Sequence, residues 1–172
     1  MRLEGNIIAR RSLLALLLTG LLAACGFQLR GAYALPFDKL YIAVPETNEM
    51  HAQLKRSIAT GSNARVVGTQ QDAQATLLIL SDKNAKNILS LTATGQAREF
   101  QLVRTFNFRV VDGKGRDWLP QTQIEIHRDI SFSDNLVLSK DLEEALLWRD
   151  IQNDLVQQIM RRLSAAKLPV AE

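Results

Sequence analysis

Apolar and polar positions along this chain fall into several distinct rhythms. Leu13 to Ala24 is almost wholly apolar and follows Arg2, Arg10 and Arg11, the layout of a leader segment. Leu40-Tyr41-Ile42-Ala43-Val44, stopped by Pro45, reads as a short buried strand. Met50, Leu54 and Ile58 then recur at every fourth residue, which predicts a helix from Asn48 to Thr60 with Gly61 placed to end it. Arg65 to Val67 is a brief strand candidate and Ala75 to Ser81 a better one. Polar residues Lys83 to Lys86 interrupt the pattern before Ile88, Leu89 and Leu91 resume it, so this stretch is either one long bent strand or two.

The strictest alternation lies in Glu99 to Val111. Phe100, Leu102, Phe106, Phe108 and Val110 share one parity, and Gln101, Thr105, Asn107 and Arg109 share the other, the mark of a strand with one buried face. Asp112-Gly113-Lys114-Gly115 supplies a turn. A matching strand is expected after Pro120, with Ile124, Ile126, Ile130 and Phe132 on one side and Gln123, Glu125, His127, Asp129 and Ser131 on the other. Asp141 and Glu144 have the spacing of a capping box, and Trp148, Ile151, Leu155, Ile159 and Leu163 continue as an amphipathic helix from Asp141 to Ala166, with Pro169 beyond it. A mostly antiparallel sheet with one polar face and two amphipathic helices is an α+β two-layer sandwich.

The leader changes how the remaining composition is read. An apolar run of about a dozen residues is too short to cross a bilayer, which takes roughly twenty. Leu22-Ala23-Ala24-Cys25 resembles the bacterial lipobox, in which the cysteine thiol is alkylated with diacylglycerol, the chain is cut before it, and the new amino terminus is acylated. Cys25 is the sole cysteine of the 172 residues, so no internal disulfide is available to it, and lipidation accounts for it. Acyl chains contribute ~0.8 kcal/mol per buried methylene, so three chains make a lasting anchor. Gly26, where inner-membrane retention would use aspartate, favours the outer membrane, on its periplasmic side.

The expected organisation is a leader over 1–24, a lipidated tether over 25–38, one domain over 39–168 and a tail over 169–172. No internal repeat or low-complexity tract divides it. Residues 1–24 carry three arginines and one glutamate, so their removal lowers the net charge from +3 to +1. That balance, in a periplasmic setting, argues against nucleic acid as a partner.

Catalytic chemistry finds little support. HExxH, CxxC, GxSxG and phosphate-cradling glycine loops do not occur. Of the two histidines, His51 and His127, the latter sits on a polar parity and reads as solvated. Ser131 and Ser133 beside Asp129 and Asp134 read as strand-end polar residues, and no pattern suggests a metal or cofactor. Arg104 and Arg128 are the exceptions, because both fall on the apolar parity of their strands. A hairpin brings them close, and two like charges on an apolar face require neutralisation. A bulge, an edge position or acids on the packed helices would serve, and so would an anionic ligand, since guanidinium pairs with phosphate or carboxylate. Lys140, at the start of the last helix, is either solvated or completes an anion site with the helix amides.

Several segments together resemble the LptE family of lipopolysaccharide-assembly lipoproteins. They are Cys25-Gly26-Phe27-Gln28-Leu29-Arg30-Gly31, Gly95-Gln96-Ala97-Arg98-Glu99-Phe100-Gln101-Leu102, Arg128, and Leu138-Ser139-Lys140-Asp141-Leu142-Glu143-Glu144, in the family's order. The resemblance implies two helices on a four-stranded, mostly antiparallel or mixed sheet. It also implies a complex in which the lipoprotein plugs the lumen of the LptD β-barrel, helps it assemble, and binds lipopolysaccharide through basic residues. Lys140 falls on a matching lysine. A second basic position of the family falls on Ala93, where Arg98 or Arg104 can compensate, so the lipid-binding candidates are Lys140, Arg128, Arg104 and Arg98. The competing expectations are a lipoprotein partner of another envelope channel, for secretion or efflux, and a small lipoprotein hydrolase, which lacks a nucleophile and base here.

Overall fold

The computed structural model describes residues 33–131 and 137–167, with side chains from residue 140 onward in the second stretch. Its elements are β1 (Lys39–Ile42), α1 (Glu49–Gly61), β2 (Arg65–Val66), β3 (Ala75–Leu91), β4 (Ala97–Val111), β5 (Asp117–Ser131) and α2 (Val137–Ser164). They build a two-layer α+β fold of two helices on a mixed sheet in the order β2-β1-β3-β4-β5. The sheet has one strand more than the four expected. The addition is the two-residue β2, held parallel to β1 through Lys39↔Arg65 and Leu40↔Val66.

Helix α1 begins where Asn48 accepts a hydrogen bond from the Met50 amide on its side-chain oxygen, 2.8 Å away. Met50, Leu54 and Ile58 form its buried stripe. At the far end Gly61 is the last helical residue, and the Ser62 amide returns to the Ile58 carbonyl.

The polar interruption in β3 does not split the strand. It follows a register shift between Ile79 and Ser81, which pair with Phe108 and Asn107. Leu80 is the extra residue, and it reverses the parity. Leu77 and Ile79 lie beside the helix-facing Val110 and Phe108, whereas beyond the bulge it is Asp82, Asn84 and Lys86 that pair with Phe106, Arg104 and Leu102. Polar residues are thereby turned toward the helices.

Strands β4 and β5 form the expected hairpin, closed at Asp112–Arg116, where Gly115 has a φ of 79°. The Asp112 carboxylate accepts hydrogen bonds from the amides of Lys114 (2.8 Å) and Arg116 (2.9 Å). Strand β5 starts at Asp117, before Pro120 rather than after it. Leu119 pairs with Val110 and Thr122 with Phe108, so Pro120 occupies a register shift on an edge strand, where its missing N–H is tolerated. Phe132 and Pro169 lie outside the described residues.

Helix α2 starts at Val137, four residues before the expected Asp141, and ends at Ser164. The capping-box pattern is not realised: Asp141 lies inside the helix, and the Glu144 carboxylate bonds Lys86 on β3 at 2.6 Å. Asp in a helix interior costs only about 0.7 kcal/mol, too little to stop the extension.

The core fills the space between the layers. Leu40, Leu77, Leu102, Phe106 and Phe108 from the sheet meet Leu54 and Ile58 of α1 and Ile151, Leu155, Ile159 and Leu163 of α2, all fully buried. Leu35 and Phe37, ahead of β1, belong to this core, and Phe37 meets Trp118 edge-on with ring centroids 5.6 Å apart. Among the described residues no helix is long and apolar enough to cross a membrane.

Candidate functional site

Over Phe100–Phe106 of β4 and Ile124–Ile130 of β5 the helix-facing side is apolar except at Arg104 and Arg128. Leu102 pairs with Arg128 and Arg104 with Ile126, so the two arginines are diagonal neighbours on that face, as their parity requires. Each finds its counter-charge within the chain. Arg104 donates from Nε to Asp82 Oδ1 at 2.9 Å and from Nη2 to Asp82 Oδ2 at 2.7 Å, and from Nη1 to the Gln152 side-chain oxygen of α2. The Leu80 bulge makes this possible, because it brings Asp82 onto the helix-facing side. Arg128 reaches Asp150 at 2.9 Å and Asp154 at 3.3 Å, one turn apart on α2, and the His127 carbonyl at 2.9 Å. Hydrogen bonding to Asp150 leads, opposed by desolvation and joined by Asp154, in raising the Arg128 guanidinium above its ordinary pKa.

The other predicted cations stand apart from this pair in the fold. Lys140 lies in the first turn of α2 and bonds Glu143 at 2.7 Å. Arg98 is exposed at the start of β4, with no ion pair among the described residues. Ala93 sits exposed in the turn that closes β3 onto β4, beside Gly95 with its φ of 82°. His127 and Ser131 are exposed, whereas His51 is buried. Cys25, Ser133 and Asp134 lie outside the described residues. Among the described residues no three His, Cys, Asp or Glu side chains gather to hold a metal.

Sequence reading missed a cleft of about 600 Å³ between the helices, over the middle of β3 and β4. Asn48 at the head of α1, Asn84, Arg104, and Trp148, Arg149 and Gln152 of α2 line it. Gln152 stiffens its wall: its oxygen accepts from Arg104 and its amide donates to Gln53 Oε1 at 2.6 Å, while Gln53 donates to Asn153 at 3.1 Å. Both helices and the sheet are tied together through this chain. The indole N–H of Trp148 reaches Glu144 at 3.4 Å. Its traces in the sequence are the polar interruption Lys83 to Lys86 and Arg104 on the apolar parity of its strand.

Among the described residues the opposite face of the sheet carries no helix, and polar pairs cross its strands. Gln101 bonds Asp129 at 3.1 Å, Asn107 bonds Ser81 at 2.9 Å, and Arg109 lies 3.4 Å from Asp117. Gln101, Thr105, Asn107 and Arg109 are all half-buried there.

Comparison with known proteins places these features in a wider set. A family model described as LptE, Lipopolysaccharide-assembly, matches residues 37–163. An LPS-assembly lipoprotein LptE from Pectobacterium atrosepticum is 29% identical over 157 residues, covering 87% of this chain and 80% of the relative. One from Yersinia pestis is 31% identical over 156 residues, covering 87% of this chain and 72% of the relative. The solution structure of a lipoprotein B from Nitrosomonas europaea superposes with a TM-score of 0.71 at 37% identity, covering 81% of this chain and 91% of that one.

Proposed function

Because this chain belongs to the LptE family of lipopolysaccharide-assembly proteins, we propose that it is lipidated at Cys25 and held on the periplasmic side of the outer membrane. There it occupies the lumen of the LptD β-barrel, helps that barrel assemble and assists lipopolysaccharide insertion at the outer leaflet. It acts by steric fit and charge, without catalysis. The observation that carries this reading is the match over residues 37–163, nearly the whole described fold. The sheet face turned away from α1 and α2 supports it, since the half-buried polar side chains of Gln101, Thr105, Asn107 and Arg109 there suit the wet inside of a barrel.

Lipopolysaccharide phosphates meet the basic residues Lys140, Arg128, Arg104 and Arg98. Arg98 offers its whole guanidinium, and Arg104 retains N–H groups after bonding Asp82 and Gln152. Lys140 and Arg128 exchange Glu143, Asp150 and Asp154 for lipid phosphate. Detergent extraction of outer membranes and capture on this protein tests the partnership, with the partner identified by mass. The reading requires an LptD barrel in a one-to-one ratio. A secretion or efflux channel in its place would sink it.

A further inference from the structure

We propose that the cleft between α1 and α2 is a binding site for an acidic sugar, one carrying a phosphate or carboxylate. The cleft's size fits a small organic ligand, within the roughly 300–1,000 Å³ of such sites. Its chemistry narrows the class. A guanidinium carries five N–H groups, and Arg104 spends three on Asp82 and Gln152, so two remain to face the cleft. Asp82 and Gln152 also hold that guanidinium still, which lowers the ordering cost of binding. Asn84 lies opposite Arg104 in register, and neither its amide nor the Arg149 guanidinium has a hydrogen-bond partner among the described residues. Asn48 uses its oxygen to cap α1, leaving its amide N–H groups free.

The lining is thus rich in donors, with two guanidinium groups and a single carboxylate, Glu49. Such a set favours an anion. Trp148 adds a large apolar ring to the wall, the Asn84 amide can both donate to and accept from hydroxyl groups, and the Asn48 N–H groups can donate to them. Bare phosphate would use the guanidinium and amide donors but leave the indole face idle. A sugar ring bearing an acidic group uses all of them. This inference rests on the lipopolysaccharide reading only for the source of the sugar: a glycolipid headgroup or a free sugar acid presents the same chemistry.

Calorimetric titration of the full-length protein in detergent separates the possibilities. The probes are lipopolysaccharide, glucose 1-phosphate, glucuronate, glucose and inorganic phosphate, and the variant combines Asn84→Asp with Arg149→Glu. Neither side chain has a hydrogen bond to lose among the described residues, and Arg149→Gln alone is the substitute should the double variant fail to fold. The expected result is at least a tenfold loss of affinity in the variant for an acidic probe that the parent binds. Loss with lipopolysaccharide alone assigns a glycolipid headgroup, and loss with glucose 1-phosphate or glucuronate assigns a free sugar acid. Equal binding of lipopolysaccharide by parent and variant, with neither sugar acid bound, overturns the cleft and leaves the wider reading intact. No lipopolysaccharide binding by the parent removes that reading instead, and the two sugar acids then decide the cleft. Phosphate or glucose binding as tightly as glucose 1-phosphate and glucuronate overturns the assignment to an acidic sugar.

Discussion

Replacing Arg104 with methionine tests the arrangement at the centre of the sheet. The aliphatic stem is largely kept, so packing changes little and the three hydrogen bonds to Asp82 and Gln152 are lost. The Arg104 side chain is only 11% exposed, which would place the loss near the ~3–5 kcal/mol of a broken buried ion pair. Asp82, however, is 35% exposed and regains water, so about 1–2 kcal/mol is the appropriate share for that contact. Gln152 is 8% exposed, and leaving its oxygen without a donor costs about 1–2 kcal/mol more. The sum is roughly 2–4 kcal/mol, equivalent to a fall in Tm of roughly 6–15 °C for a domain of this size. Urea unfolding followed through Trp118 and Trp148 measures it. Combining the change with Asp82→Asn should cost less than the two single variants added together, because they share one interaction. A loss below ~0.5 kcal/mol, or strict additivity, would refute the proposed pairing.

Three further outcomes are expected. Phe106→Ala, at a fully buried position, should destabilise by about 3–5 kcal/mol without changing the urea m-value; a loss under ~1 kcal/mol would mean this ring is not packed as described. Arg128→Ala, on a side chain 34% exposed, should cost only about 1 kcal/mol, and less in 1 M salt, which denaturation at two ionic strengths would show. At Asp112, desolvation acts to raise the pKa, but hydrogen bonds from Arg116 and Lys114 outweigh it and hold the carboxyl below 3.8. Its contribution is therefore complete above the unfolded-state value and lost as pH falls through the lower folded one. Asp112→Asn should flatten the acid side of the stability profile, and an unchanged profile would contradict the depressed pKa.

The β4–β5 hairpin was the most legible part of the sequence, because one buried face and one polar face leave strict alternation in both strands. The same alternation put Arg104 and Arg128 on the helix-facing side. Their counter-charges were partly legible. Asp150 and Asp154 lie one helical turn apart, as a shared face requires, but Asp82 reaches Arg104 only because Leu80 bulges, and a bulge leaves no mark in composition. The cleft as a whole was not legible for the same reason: Asn84, Arg104 and Trp148 come from three elements and meet only after that parity reversal. The helix start was misplaced because Asp141 and Glu144 carry a local capping pattern that the helix does not use, Glu144 bonding Lys86 instead. Strand β2 was seen as a possibility but left out of the count, since two residues carry almost no periodic signal.

If the proposed function holds, the LptD barrel needs this protein inside it to assemble. The most direct measurement is the amount of folded LptD barrel in outer membranes as this protein is depleted from growing cells. Folded LptD barrel should fall in step with this protein while other outer-membrane barrels hold steady. Unchanged levels of folded barrel after depletion would contradict it.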